Sequence, residues 1–247
     1  LKQILFLTAS LISIDLAMAA ISPIEQQKDI LQETAKLLQL EKTDLEKASK
    51  DLSEEQKSAL KAIASDKNTD LNIRWKALVL ASRLLGSDMR ADVLAASKSP
   101  DWFMRSASLS AANEISADES ADIARALIKD KALVVRSSAA DVLATTGLDS
   151  DRELLWKALN DSANSRKGQS LWIRPQVLKH LAKRPLKKEI SQFIEILKEG
   201  EVELQAVTIH ALEKASDFQF GSDQDSIEDH RTRWLNWWET NGKTKSL

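Results

Sequence analysis

The sequence predicts an all-α fold: an α-solenoid, wound as a right-handed superhelix of about five helical hairpins, with a helical cap at each end. Three observations predict it. An arginine recurs at fixed spacing: Arg74, Arg105 and Arg136 lie 31 residues apart, Arg174 follows after 38, and Gln205 takes the same place 31 further on. Apolar residues recur at fixed offsets from it. The composition favours helix, with Ala, Leu, Lys, Glu and Ser dominant and only 6 Gly, 4 Pro and 5% aromatic residues in 247. A β fold needs more turn residues and more β-branched or aromatic strands than this.

Each repeat opens with an amphipathic helix. One residue before the arginine stands Ile73, Met104, Val135, Ile173 or Leu204. Three before it stands Leu71, Trp102, Leu133, Leu171 or Val202, four after it Leu78, Leu109, Ala140, Leu178 or Ile209, and seven after it Ala81, Ala112, Leu143, Leu181 or Leu212. Offsets of −3, +4 and +7 share one helical face, so all three are expected in the core. A second apolar-periodic stretch follows in each repeat, at 88–97, 118–129, 149–160 and 186–198. The breaks "LGSD", "ISAD", "TGLDSD" and "KRPL" carry the residues that start and stop helices. The repeats are expected at about 66–98, 99–129, 130–161, 162–199 and 200–241.

The ends differ. Residues 1–19 hold an early lysine, an apolar run from Ile4 to Leu16 and the small-residue triplet Ala17-Met18-Ala19. They read as an export signal cut after Ala19, giving a periplasmic or secreted chain. The run is too short to span a bilayer. Residues 20–65 read as an N-terminal helical cap, with a capping box in "SEEQ" at 53–56. In that cap Ile24, Leu31, Leu38, Leu45 and Leu52 fall seven apart, the spacing of one coiled-coil stripe without its second. Near the other end, Trp234, Trp237 and Trp238 share one helix face and are expected to cap the array. A polar loop precedes that helix, and 242–247 read as a disordered tail.

The segment "DKALVVRSSAADVLATTG" at 130–147 and its relatives resemble the HEAT repeat family, in particular the short bacterial HEAT-like repeats. Asp130 precedes Arg136 by six, as the acid and base of that family do. The resemblance runs from about Asp66 to Asn241 and implies an armadillo-like stack of hairpins, while it is almost silent about function. Elsewhere it is imperfect: Asn68, Ser99 and Gly168 stand in the place of Asp130, where Asp70 and Asp101 are possible substitutes. In a stacked array, the fork of Arg74, Arg105, Arg136 or Arg174 is expected to bridge two layers by bonding acids or turn carbonyls.

No chemistry is legible. The chain has no cysteine, so thiolate metal sites, cysteine nucleophiles and disulfides are excluded. Neither a glycine-rich phosphate loop nor a G-x-S-x-G motif occurs. The three histidines are far apart in sequence, although His180 and His210 sit at nearby repeat offsets. We therefore expect no enzyme, no cofactor and no metal.

Charge is more informative. The net charge of −2 rules out a general polyanion binder, so nucleic acid is not expected. Between Ser162 and Lys188, however, the chain has no acid and eight bases: Arg166, Lys167, Arg174, Lys179, Lys183, Arg184, Lys187 and Lys188. Residues 199–229 reverse the balance, with nine acids against Lys214. Either the two blocks neutralise each other across the stack, or the bases form a patch for an anionic partner. The resulting expectation is a monomeric, non-catalytic scaffold or adaptor that presents an extended surface, lined by the second helices, to another, acidic, protein. The alternatives are a HEAT-like lyase, a nucleic-acid-acting enzyme, or a structural protein self-associating through 20–52.

Overall fold

The computed structural model describes residues 22–222 and 224–242, and these are mostly helical. The export signal expected at 1–19 lies outside the described residues, as does all but Gly242 of the expected tail.

Helix starts follow local side-chain chemistry. Helix α1 (Pro23–Leu37) begins at a capping box of Ser22 and Glu25, with proline in its first turn. After α2 (Lys42–Ala48) and a 3₁₀ turn, α3 (Glu54–Ser65) starts at the capping box of Ser53 and Gln56. Asp70 caps α4 (Leu71–Leu85) by accepting the Asn72 and Ile73 N–H groups. There follow α5 (Arg90–Ser97), α6 (Trp102–Ile115), α7 (Ala117–Leu127), α8 (Leu133–Thr146) and α9 (Asp149–Leu159). The chain closes with α10 (Ile173–Lys183), α11 (Ile190–Glu199), α12 (Val202–Ser216), α13 (Ile227–Trp237) and a π turn, Trp238–Gly242.

Packing follows chain order. The first helices lie on one another, α4 on α6, α6 on α8, α8 on α10 and α10 on α12. Each of α5, α7, α9 and α11 packs on the first helix that follows it. The N-terminal segment continues the order, with α1 on α3 and α3 on α4. One hydrophobic core runs from Leu38 to Trp234. The residues four and seven after each arginine position are all buried, as the periodicity requires.

One expectation needs correction, and two segments take forms that the period alone does not specify. The −3 position is not a core position: Leu71, Trp102 and Val202 are exposed, and Leu133 and Leu171 only half-buried. Each lies in or just before the first turn of its helix, where no neighbouring helix reaches over it. The heptad run at 24–52 is not one helix, because the chain turns between Leu37 and Lys42 and again after Ala48. Its leucines serve this chain's own core, Leu38 being fully buried, while Ile24 is 79% exposed. The insertion before Arg174 is a two-stranded hairpin, β1 (Ser165–Arg166) and β2 (Gln169–Ser170), within an otherwise helical fold. Lys167 and Gly168 form its turn with φ of 53° and 77°, the two positive angles that such tight hairpins demand.

Gly147 ends α8 in the left-handed region, at φ 71°. An added Cβ would meet only the Arg184 Nη2 atom, at 3.9 Å, so space is not the constraint. We expect Gly147→Ala to cost about 1–2 kcal/mol through the backbone alone, read as a lower urea midpoint at constant slope.

Candidate protein interface

The repeating arginines bind the turns that precede the first helices. Arg105 is 5% exposed. Its Nε and Nη2 donate to the two carboxylate oxygens of Asp130 at 2.5 and 2.8 Å, and its Nη1 donates to the Ser99 and Pro100 carbonyls at 2.8 and 3.0 Å. Arg136 repeats the arrangement one layer on. It donates back to the Asp130 and Lys131 carbonyls at 2.7 and 3.2 Å, and forward to the Asn164 side chain and Ala163 carbonyl at 2.8 and 2.9 Å. Asp130 thus serves two arginines, one through its carboxylate and one through its carbonyl. Arg174 donates to Glu199 at 2.8 Å and to the Leu159 carbonyl at 2.7 Å, and Ser170 beside it donates to Glu201 at 2.6 Å. Arg74 is the weak member, with one bond of 3.2 Å to the Ala64 carbonyl. Asp70 caps α4 and Asp101 accepts no cap bond, so neither stands in for Asp130.

These bonds join turn 99–101 to turn 130–132, that turn to the base of the hairpin, and the hairpin to 199–201. The turns therefore form one continuous edge. On its central part Lys98, Lys129, Lys131, Arg166 and Lys167 are exposed and form no ion pair among the described residues. The acids nearby are mostly engaged: Asp130 holds Arg105, and Asp161 accepts the Ala163 N–H. Two tryptophans stand on the same edge, Trp102 at 49% and Trp172 at 53% exposure. Trp102 is steadied edge-on by Phe103, which packs edge-on against Trp75 in turn.

The sequence-predicted basic patch is divided. Arg166 and Lys167 sit on the hairpin, before α10, while Lys183 is the last residue of that helix and Arg184, Lys187 and Lys188 follow it. Eleven residues of helix separate the two groups by roughly 16 Å. Lys179 is exposed on α10 between them. The far group is partly spent on neighbours: Lys188 meets Asp149 at 2.8 Å, Lys187 meets Asp217 at 3.9 Å and Arg184 donates to the Gly147 carbonyl at 3.3 Å. Neutralisation by the acidic block is thus local, through Arg174 with Glu199 and Glu201 and through Lys187 with Asp217.

A second ladder escaped the sequence reading. It joins successive second helices: Lys61 to Asp92 at 3.1 Å, Arg90 to Glu119 at 2.6 Å, Arg125 to Asp151 at 2.7 Å, and Arg152 to Glu189. Glu189 also accepts from Trp156 Nε1 at 2.8 Å and from the Leu186 N–H at 3.0 Å. The separations of these pairs range from 26 to 37 residues, so a search for a fixed period passes over them.

At the C-terminal end Trp234 is fully buried, and Trp237 and Trp238 pack on the core half-buried. Phe218 and Phe220, in the loop read as polar, join them, with Phe220 edge-on to Trp234 at 4.6 Å. His180 lies 2.7 Å from Asp141, and His210 is exposed with no polar contact to it. Among the described residues no group of three His, Asp or Glu side chains has the arrangement to hold a metal ion. No helix there is long and apolar enough to cross a membrane. No protein-family model matches the chain, and no curated protein matches it.

The ladders make stability depend on acid. Burial pushes the Asp130 carboxyl up, but the Arg105 guanidinium and the Ala132 N–H outweigh it and hold the group below the usual carboxylate range. The Arg125 bond likewise lowers Asp151, and the Arg83 bond lowers Glu114. A carboxylate lowered by folding stabilises the native state above its unfolded pKa of about 4 and loses that contribution as pH falls through the folded value. Urea stability is therefore expected to change little from pH 7 to about 5 and to decline below about pH 4. Asp151→Asn should flatten that decline.

Proposed function

We propose that the chain is a HEAT-like α-solenoid, wound as a right-handed superhelix, that serves as a monomeric, non-catalytic scaffold or adaptor for another protein in the cell envelope. The observation that supports this best is the order of packing. First helix lies on first helix, and the buried arginines Arg105, Arg136 and Arg174 tie the turns from 99–101 through 199–201 together, so the chain offers a long, rigid edge. An extended and pre-organised surface of this kind suits protein binding, because little order has to be imposed on it at the moment of association. The export reading rests on the Ile4–Ala19 segment of the sequence. Self-association through 20–52 would need a continuous helix, and the turn between Leu37 and Lys42 interrupts it.

Size-exclusion chromatography with light scattering, followed by cross-linking in envelope extract, tests the reading. A monomeric mass and one saturable, salt-sensitive protein adduct are expected. A stable dimer with no adduct would replace the adaptor with a self-assembling protein.

A further inference from the structure

The edge built from turns 98–101, 129–132 and 160–172 carries the most informative surface of the molecule. Its five exposed bases form no ion pair among the described residues, its tryptophans stand out from it, and the bases outnumber its acids Asp101, Asp130 and Asp161. The helices that begin there add a third property. Helices α6, α8 and α10 have no side-chain cap, whereas α4 next to them is capped by Asp70. At the starts of α6 and α8, first-turn N–H groups lack an intrahelical acceptor, whereas in α10 the Arg174 N–H donates to the Leu171 carbonyl at 2.9 Å and Pro175 has no N–H.

Resting on the scaffold reading above, we propose that this edge docks an extended acidic segment of the partner protein. Carboxylates of the segment pair with Lys98, Lys131, Arg166 and Lys167, and its apolar side chains rest on Trp102 and Trp172. Spacing supports an extended form. Packed helices stand about 8–10 Å apart, so a base on each turn meets every third residue of a chain that advances about 3.3 Å per residue. An extended segment also keeps its main-chain carbonyls free for the uncapped N–H groups of α6 and α8, which a helical ligand, having used its carbonyls, does not. Charge also argues for a peptide over an anionic membrane. The outer turns of the same edge carry the exposed acids Asp66 and Asp70 on one side and Glu203 on the other. A flat anionic surface would meet those acids, while a short segment ends before reaching them.

The test is fluorescence anisotropy of a labelled peptide of four Glu-Leu-Ser triplets titrated with the full chain, alongside co-sedimentation with vesicles of phosphatidylcholine and phosphatidylserine. Saturable peptide binding that weakens with salt is expected. The triple variant Lys131→Glu, Arg166→Glu, Lys167→Glu should lose about tenfold or more in affinity, and Trp102→Ala with Trp172→Ala should lose several-fold. All five side chains are exposed or hairpin-borne, and circular dichroism checks that the fold is kept. Lys183→Glu with Lys187→Glu, at and just past the C-terminal end of α10, should bind as the unaltered chain does. Absence of peptide binding, or binding unchanged by the triple reversal, overturns the proposal. Vesicle binding that the reversal abolishes, without peptide binding, assigns the edge to a lipid surface instead. If the reversal fails to act on the peptide while the cross-linked adduct persists, the docking edge is wrong and the scaffold stands. If no adduct forms at all, the scaffold itself fails.

Discussion

Asp130→Ala is expected to destabilise the chain by about 3–5 kcal/mol, because it strands the Arg105 guanidinium where water cannot replace the lost partner. Both side chains of the pair are 6% exposed. The carboxylate takes two of the guanidinium donors and also the Ala132 N–H at 2.7 Å, so three hydrogen bonds disappear together. Arginine does not give up its proton in proteins, so the stranded guanidinium has no route to relief by deprotonation. Asp130→Asn retains one acceptor and should cost less. The double variant Arg105→Met, Asp130→Ala should be more stable than Asp130→Ala alone, because it removes the stranded charge and keeps an apolar stem in its place. Arg105→Met alone closes the cycle, and urea unfolding of that variant, Asp130→Ala, the double variant and the unaltered chain measures the coupling. A loss under about 1 kcal/mol in the single variant would show that the turns are held by other contacts.

Trp234→Ala should cost a similar amount, about 3–5 kcal/mol, by a different mechanism. The ring is fully buried and packs edge-on against Phe220 at 4.6 Å and Trp237 at 5.6 Å. Its removal leaves a cavity at the place where α13 covers α11 and α12. Each helical pair leans mainly on its neighbours, so the damage should stay at that end. Hydrogen exchange is expected to quicken in α11–α13 and to remain unchanged in α4–α8. Trp234→Phe separates packing from polarity. The indole Nε1 is buried without a hydrogen-bond partner, so phenylalanine gives up volume but also an unpaired donor. It should be much the milder change, and equal losses in the two variants would show that ring size alone decides the site.

The sequence by itself determined that the chain is helical, and much of where the helices begin and end. It also determined which residues go inward in mid-helix: Leu109 and Ala112, and their counterparts in the other repeats, are buried at the offsets that a period of 3.6 requires. Capping boxes at Ser53 and Gln56, and the tryptophan cluster at 234–238, were readable because they depend on neighbours in the chain. The tertiary structure decided what lies beyond the reach of a single helix. A period says which face of a helix is apolar but not how far along it the neighbour extends, so Trp102 and Val202 fall outside the cover although they share the face of Leu109 and Ile209. Contiguity along the chain is not contiguity in space, so of eight bases within 27 residues Lys179 stays in mid-helix while the others separate to the two ends of α10. The pairs Arg125–Asp151 and Arg152–Glu189 join residues that only the stacking of successive second helices brings together, because ion pairing depends on distance in space while periodicity records only distance along the chain.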